Sequence, residues 1–308
     1  MKYISETTDF QLNNSVVTLG KFDGLHIGHQ LLVNHITRLK REGYQSVMFT
    51  FSLHPMNLFS EKELKLIYTS DEKCKRLEEL GVDVLVVYPF SLQTASLEAK
   101  DFIQQVLVNQ LDAKVIVVGS DYRFGHNRVG DVKMLQDYAD EYGYEVVVYD
   151  KVLYDNEEVS STRVRNEIAN GNMELVTNLL GKPYSILGTV EHGRKIGRTI
   201  GMPTANLIPS SSKLLPPNGV YASKTRILDQ VYKGVTNVGY KPTVGGEPIL
   251  GVETYLFDYS GDIYGKEIEV ELYHYQRAEQ KFPSIDVLKE QMKKDIVNAR
   301  EYFHLPIE

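Results

Sequence analysis

The sequence predicts two folded units of different class: an α/β domain with a mostly parallel sheet, then a small antiparallel β-barrel finished by a C-terminal helix. Three observations carry this expectation. At 308 residues the chain is too long for one ordinary core, and about 150 residues per domain gives two. Its first 180 or so residues alternate short apolar runs with helical patterns. After Gly181-Lys182-Pro183 the runs succeed one another without helices, punctuated by Gly and Pro. The expected domains are therefore 1–181 and 182–308.

In the first half, the runs Ser15–Leu19, Ser46–Phe51, Val82–Tyr88, Lys114–Val118 and Glu145–Tyr149 are rich in Val, Ile and Phe. They are too short for buried helices and suit strands covered on both faces. Leu32, Ile36 and Leu39 share one helical face, and a second helix opens at Ser70 with Asp71 and Glu72 in its first turn, where the helix dipole favours acids. Strand–helix alternation implies right-handed crossovers and a parallel sheet. Such sheets bind ligands at the carboxyl ends of their strands.

In the second half, the runs are Ser185–Glu191, Val220–Leu228, Val231–Val238, Gly251–Asp258 and Glu267–Tyr275. The last sets Ile268, Val270 and Leu272 against Glu267, Glu269 and Glu271, the period of a strand with one wet face. Five or six such strands make a small barrel. Ile285, Leu288, Met292, Ile296, Ala299 and Phe303 then repeat at three and four residues, with Ser284 placed to cap the helix.

Composition narrows the function. An apolar fraction of 42% and a charged fraction of 24% are those of a soluble globular protein. No apolar run approaches the ~20 residues of a membrane span, and the N-terminus lacks a secretory pattern. The single cysteine, Cys74, fits a reducing cytoplasm. A net charge of −7 supplies no whole-molecule basic field for nucleic acid. The expected partners are small anionic molecules held by local devices, with no nucleic acid and no membrane. Self-association is not readable from the sequence.

The first such device is Gly20-Lys21-Phe22-Asp23-Gly24-Leu25-His26-Ile27-Gly28-His29. A strand running into a glycine-bearing turn and a helix start presents unpaired N–H groups and a positive dipole end to an anion. His26 and His29, three apart, are expected on one face of the first helical turn. Gly28 leaves room for a nucleotide against the backbone. Two imidazoles there donate hydrogen bonds to charge developing on a phosphoryl group. Alone, the pair reads equally as a coincidence or a metal pair, although no third ligand stands at familiar zinc spacing.

The whole stretch resembles the H-x-G-H signature of the nucleotidyltransferase superfamily, in the form seen in prokaryotic FAD synthetases. Val159-Ser160-Ser161-Thr162-Arg163-Val164-Arg165 resembles that family's I-S-S-T-x-I-R motif, and Gly119-Ser120-Asp121-Tyr122-Arg123-Phe124-Gly125 its G-x-D-F-x-F-G segment. Ser160 and Ser161 would open another helix, with Arg165 one turn in as a phosphate clamp; S-S-T alone is just a helix cap. The resemblance implies a Rossmann-like domain that joins FMN to ATP, giving FAD and pyrophosphate. It implies His26, His29 and Arg165 as catalytic, Gly20, Phe22, Asp23, Gly24, Gly28, Ser160, Ser161 and Thr162 at ATP, and Asp121 and Phe124 at the flavin. His54, before Pro55, is a weaker phosphate candidate. Departures are Leu25 for valine, Tyr122 for phenylalanine, and Lys21, an extra cation that tunes ATP affinity.

The second device is Gly193-Arg194-Lys195-Ile196-Gly197-Arg198-Thr199-Ile200-Gly201-Met202-Pro203-Thr204-Ala205-Asn206. Gly201–Asn206 is poor core material and reads as a tight loop whose backbone approaches something closely. The Thr204 hydroxyl and Asn206 carbonyl are oxygen ligands suited to Mg²⁺. Glycine N–H groups offer phosphate donors, with Lys195 or Arg198 adding charge. The stretch closely resembles the riboflavin kinase motif G-x-x-x-G-R-x-x-G-x-P-T-A-N. Asn237-Val238-Gly239-Tyr240-Lys241-Pro242-Thr243 and Val252-Glu253-Thr254-Tyr255-Leu256-Phe257-Asp258 resemble two further segments of that family. This implies a flavokinase barrel with Glu253 as the general base on the ribityl hydroxyl, Gly193, Gly197, Arg198, Gly201 and Pro203 at ATP, Asn237 at the flavin, and Thr204 and Asn206 at Mg²⁺. A strand glutamate seen alone is an exposed barrel carboxylate, and Thr204 alone a turn hydroxyl. The two resemblances together imply a bifunctional enzyme using ATP, riboflavin and FMN. The rival readings are a cytidylyltransferase with another acceptor and a flavin sensor that has lost one activity.

Overall fold

The computed structural model describes residues 1–52, 64–193, 201–241 and 249–306. His54, Lys195, Gly197, Arg198, Pro242 and Thr243 lie outside the described residues. The chain divides into two compact units, Met1–Ser161 and Thr162–Glu308.

In the first unit the strands are β1 (Lys2–Ser5), β2 (Ser15–Leu19), β3 (Gln45–Phe51), β4 (Val84–Tyr88) and β5 (Ala113–Gly119). A hairpin of β6 (Arg123–Phe124) and β7 (Gly130–Asp131) then leads on to β8 (Glu145–Tyr149). β1, β4, β3, β2, β5 and β8, in that spatial order, form one sheet with every pairing parallel. Each expected run is a strand. β1 goes unforeseen in the sequence because its four residues become a strand only through pairing with β4.

Every residue of β2 is buried, as expected for a central parallel strand. Thr18 satisfies its hydroxyl on the Val117 carbonyl at 2.9 Å. Helix α1 (Ile27–Arg38) buries Leu32, Val33 and Ile36. Helix α2 (Ser70–Glu79) opens on a capping box between Thr69 and Glu72. From β2 the chain steps outward through β3 to β4, then returns to the other side of β2 for β5 and β8. The order reverses between β2 and β5, where an open α/β sheet places its ligand crevice. The turns after these two strands carry the Gly20–His29 and Gly119–Gly125 segments.

A short hairpin, β9 (Leu153–Tyr154) with β10 (Glu157–Glu158), precedes helix α3 (Ser161–Asn170). Helix α4 (Met173–Leu180) ends on Gly181 in the left-handed region (φ 67°). The second unit then closes a six-stranded antiparallel barrel from β11 (Tyr184–Glu191), β12 (Thr204–Leu207), β13 (Gly219–Ile227), β14 (Gln230–Lys241), β15 (Ile249–Leu256) and β16 (Glu267–Ala278). Helix α5 (Ile285–Tyr302) begins at Ser284, whose hydroxyl accepts from Val287 N–H as expected.

Two expectations need correction here. Thr204–Leu207 is a barrel strand, not a loop: it pairs with β15 over four residues and touches β11 at Val190 and Glu191. Ala205 and Leu207 face inward and are buried. The supposed wet face of β16 is wet only at its first residue, Glu267, with Glu269 and Glu271 both buried. β16 has a strand on each edge and α4 packs on it and β11. The carboxylates are instead satisfied by hydroxyls: Ser185 donates to Glu269 at 2.8 Å and Tyr273 to Glu271 at 2.9 Å.

Candidate active sites

The turn from β2 into α1 is strained. Phe22 (φ 48°), Gly24 (φ 83°) and Leu25 (φ 43°) all take left-handed backbone, a region costly for bulky side chains. Both side chains are held there by burial, each about 1% exposed. Asp23 is buried too, and its Oδ1 accepts from Ile67 N–H at 3.0 Å. The carboxylate thus pins the turn to the segment before α2.

His26 does not sit within the first helical turn but at its N-cap. Its Nδ1 accepts from His29 N–H at 3.3 Å, so a neutral His26 carries its proton on Nε2. The two rings stack, with centroids 3.6 Å apart, and the Phe22 ring meets His29 edge-on at 5.1 Å. Gly28 lies against the His26 ring, which a Cβ there would approach to 3.3 Å. Burial pulls the His26 pKa down to about 4, against the nearby Asp23 charge. Burial, then His26 and Lys73, hold His29 well below the ordinary histidine value. Both imidazoles are neutral at pH 7. Among the described residues His29 Nδ1 is buried without a hydrogen-bond partner, an atom suited to a ligand.

The Ser161 hydroxyl donates to the Asp23 carbonyl at 2.8 Å, so the start of α3 is tied to the same turn, with Ser160 just before it. Thr162 and Arg165 are helix positions beyond Ser161, in the second unit. After β5, Asp121 is exposed and faces Lys151 at 3.6 Å. Phe124 is buried in the sheet core, stacked on Tyr122 and tilted against Phe102. Beside the histidine turn opens a cleft lined by Lys21, Asp23, Thr50, Tyr68 and Lys73, among others. Of these the sequence singled out only Lys21 and Asp23.

On the barrel, strand register does the assembling. Asn206 on β12 stands opposite Glu253 on β15, which stands opposite Asn237 on β14. Directly paired residues project to the same side of a sheet, so the three form one row on the barrel's outer face. Thr204, two residues before Asn206, shares that face. The alternate residues, Thr236 and Thr254, point inward and are fully buried, and Thr236 donates to Ser223 at 2.7 Å. Asn206 is 8% exposed, and its Nδ2 donates to the Thr204 carbonyl at 3.3 Å, which leaves Oδ1 as the acceptor. Gly193 packs on this carboxamide so closely that a Cβ would lie 2.6–2.8 Å from it. Gly201 takes φ 79° and, with Pro203, leads into β12. The donors gathered are a hydroxyl and a carboxamide oxygen, hard ligands that fit Mg²⁺.

The comparisons with known proteins fall on the same two halves. Residues 9–163 match the FAD synthetase family and residues 180–303 the riboflavin kinase family. A bifunctional riboflavin kinase/FMN adenylyltransferase from Haemophilus influenzae is 40% identical over 297 residues, covering 95% of this chain and 96% of its own length. One of the same description from Bacillus subtilis is 39% identical over 296 residues, covering 94% and 92%. The chain belongs to the bifunctional riboflavin kinase/FMN adenylyltransferase family. A crystal structure described as a macrolide-efflux protein from Streptococcus pneumoniae superposes with a TM-score of 0.84 at 34% identity, covering 95% of this chain and 96% of that one. Among the described residues no helix is long and apolar enough to cross a membrane.

Proposed function

We propose that the chain makes FAD from riboflavin in two steps: its barrel phosphorylates riboflavin to FMN, and its α/β half adenylylates FMN. Both family matches, in this order along one chain, support the pair of reactions. The observation that carries the site assignment is the stacked, neutral His26–His29 pair on a strained turn at the sheet's switch point.

In the first half an oxygen of the FMN phosphate attacks the α-phosphorus of ATP. The new P–O bond forms as the bond to pyrophosphate breaks, so no protein nucleophile is needed. His26 donates through Nε2 to the oxygens where charge develops, and His29 joins it from the stacked ring. Gly20, Phe22, Asp23, Gly24 and Gly28 shape the turn around ATP. Ser160, Ser161 and Thr162 open α3 toward the triphosphate, and Arg165 clamps it. Asp121 faces the flavin, with Phe124 supporting that wall through its stack with Tyr122.

In the barrel Glu253 accepts the proton of the riboflavin ribityl hydroxyl as that oxygen attacks the γ-phosphorus of ATP, releasing ADP. Asn237 holds the flavin in the same row. Thr204 and Asn206 would hold Mg²⁺, which neutralises phosphate charge when bound. Gly193 admits the Asn206 carboxamide, and Gly201 and Pro203 shape the ATP side together with Gly197 and Arg198. We place the working domains at 1–181 and 182–308. We place the protein in the cytoplasm, with small molecules rather than nucleic acid or membrane as partners. The lone Cys74 and the net charge of −7 support this.

Crossed variants test the two sites. Glu253→Gln should cut riboflavin phosphorylation by ~10²–10⁴ and leave FMN-to-FAD conversion intact. His29→Ala should cut adenylylation by ~10²–10³ and spare the kinase. Loss of both activities in either folded variant contradicts separate sites.

A further inference from the structure

We propose that Lys73, in the first turn of α2, is a phosphate-binding residue of the adenylyl-transfer site, supplying the positive charge that the histidine pair does not. The proposal rests on the reading of His26 and His29 as that site.

Adenylyl transfer brings an FMN phosphate against a triphosphate, two anions that repel each other. The two histidines meet the reacting oxygens as neutral imidazoles, so they supply hydrogen bonds but no net charge. The cleft beside them holds two ammonium groups, Lys21 and Lys73, and a single carboxylate, Asp23. Asp23 already anchors Ile67 N–H through Oδ1. Lys21 is exposed, whereas Lys73 is half-buried. Lys73 Nζ makes only a long 3.4 Å hydrogen bond to the Lys21 carbonyl, and among the described residues no carboxylate lies within ion-pairing distance of it.

Two electrostatic effects agree with this placement. Burial lowers the Lys73 pKa, against the Asp23 charge. The Lys73 charge is close enough to help depress His29. A desolvated ammonium without a counter-ion gains most when an oxyanion reaches it, and lysine meets phosphate as a point charge. The polar lining, Thr50, Ser52 and Ser70, offers hydroxyls around the same point. The oxyanion is either the FMN phosphate or a phosphate of ATP, and kinetics separate the two.

The test compares full-length Lys73→Met, Lys73→Arg and His29→Ala with the parent enzyme. Riboflavin phosphorylation by the same molecules checks folding. KM for FMN and for MgATP are measured separately, from neutral to alkaline pH. Lys73→Met should lower kcat/KM for adenylylation by ~10², with the kinase unchanged, and Lys73→Arg should recover much of that. A rise in KM for FMN puts the ammonium on the acceptor phosphate; a rise for MgATP puts it on the nucleotide.

The parent should lose adenylylation on the alkaline side as Lys73 gives up its proton, and Lys73→Arg should not. Lys21, Asp23, Tyr68 and Cys74 face the same cleft, His29 lies close enough to feel the Lys73 charge, and Lys21 is the cleft's other lysine with a lowered pKa. Lys21→Met should therefore keep the alkaline limb. The proposal is overturned if Lys73→Met leaves adenylylation unchanged. It is equally overturned if Met and Arg impair it alike without moving the limb. Full adenylylation in His29→Ala would instead remove the site reading beneath it.

Discussion

His26 shows how one buried side chain can serve both the turn and the role proposed for it. Its Nδ1 caps α1, and its burial holds it neutral, with a pKa near 4 against an ordinary 6.5. The unfolded chain then binds the proton more readily than the folded one. Stability from the neutral ring is fully present above pH 6.5 and is lost as pH falls toward 4, by about 3 kcal/mol at most. His26→Asn keeps a capping acceptor but does not titrate. Urea unfolding across this window should show a shallower acid loss in the variant, with His29, shifted in the same direction, accounting for the remainder. An unchanged acid loss would mean that the His26 ring is not held neutral by the fold.

At the scale of elements, β12 sets the kinase site proposed above, because its pairing with β15 is what aligns Asn206 with Glu253. Gly193 is part of this device. Gly193→Ala must push the Asn206 carboxamide aside, and we expect the Mg²⁺ requirement of riboflavin phosphorylation to rise ~10–100-fold. An unchanged Mg²⁺ titration would detach Asn206 from the metal. Helix α5 depends on a different contact: Asp295, 3% exposed, accepts from Arg277 Nη2 at 2.6 Å and Gln291 Nε2 at 2.9 Å. Asp295→Ala leaves a mostly buried guanidinium without its carboxylate, which should cost the barrel unit about 3–5 kcal/mol, read as a lower urea midpoint for that unit.

These elements also show what the sequence could and could not say. The β2, β3, β4 and β5 runs were legible because a strand buried on both faces is mostly apolar, and the edge strand β8 because its Val146-Val147-Val148 run is β-branched. β12 was not. In Pro203-Thr204-Ala205-Asn206 only Thr204 favours a strand, and the barrel neighbours are what make the segment extended. The acidic alternation of β16 had the right period but the wrong surroundings, since α4 and two strands close over it. The Gly20–His29 and Gly193–Asn206 segments were visible as candidate sites because their residues are contiguous. Lys73, Tyr68 and Thr50 come from other elements, and only the fold brings them to the histidines.

For the molecule as a whole, two units with separate cores carry two chemistries that share FMN, the product of one and the substrate of the other. The chain matches its relatives over nearly its full length, and each half keeps its own set of groups: His26, His29 and Ser161 in one, Thr204, Asn206, Asn237 and Glu253 in the other. The most direct measurement is a time course with riboflavin, ATP and Mg²⁺, with riboflavin, FMN and FAD separated by chromatography. FMN should appear first and FAD follow at its expense. FMN that accumulates without FAD, even when FMN is supplied directly, would contradict the account of the α/β half, and riboflavin left unchanged would contradict that of the barrel.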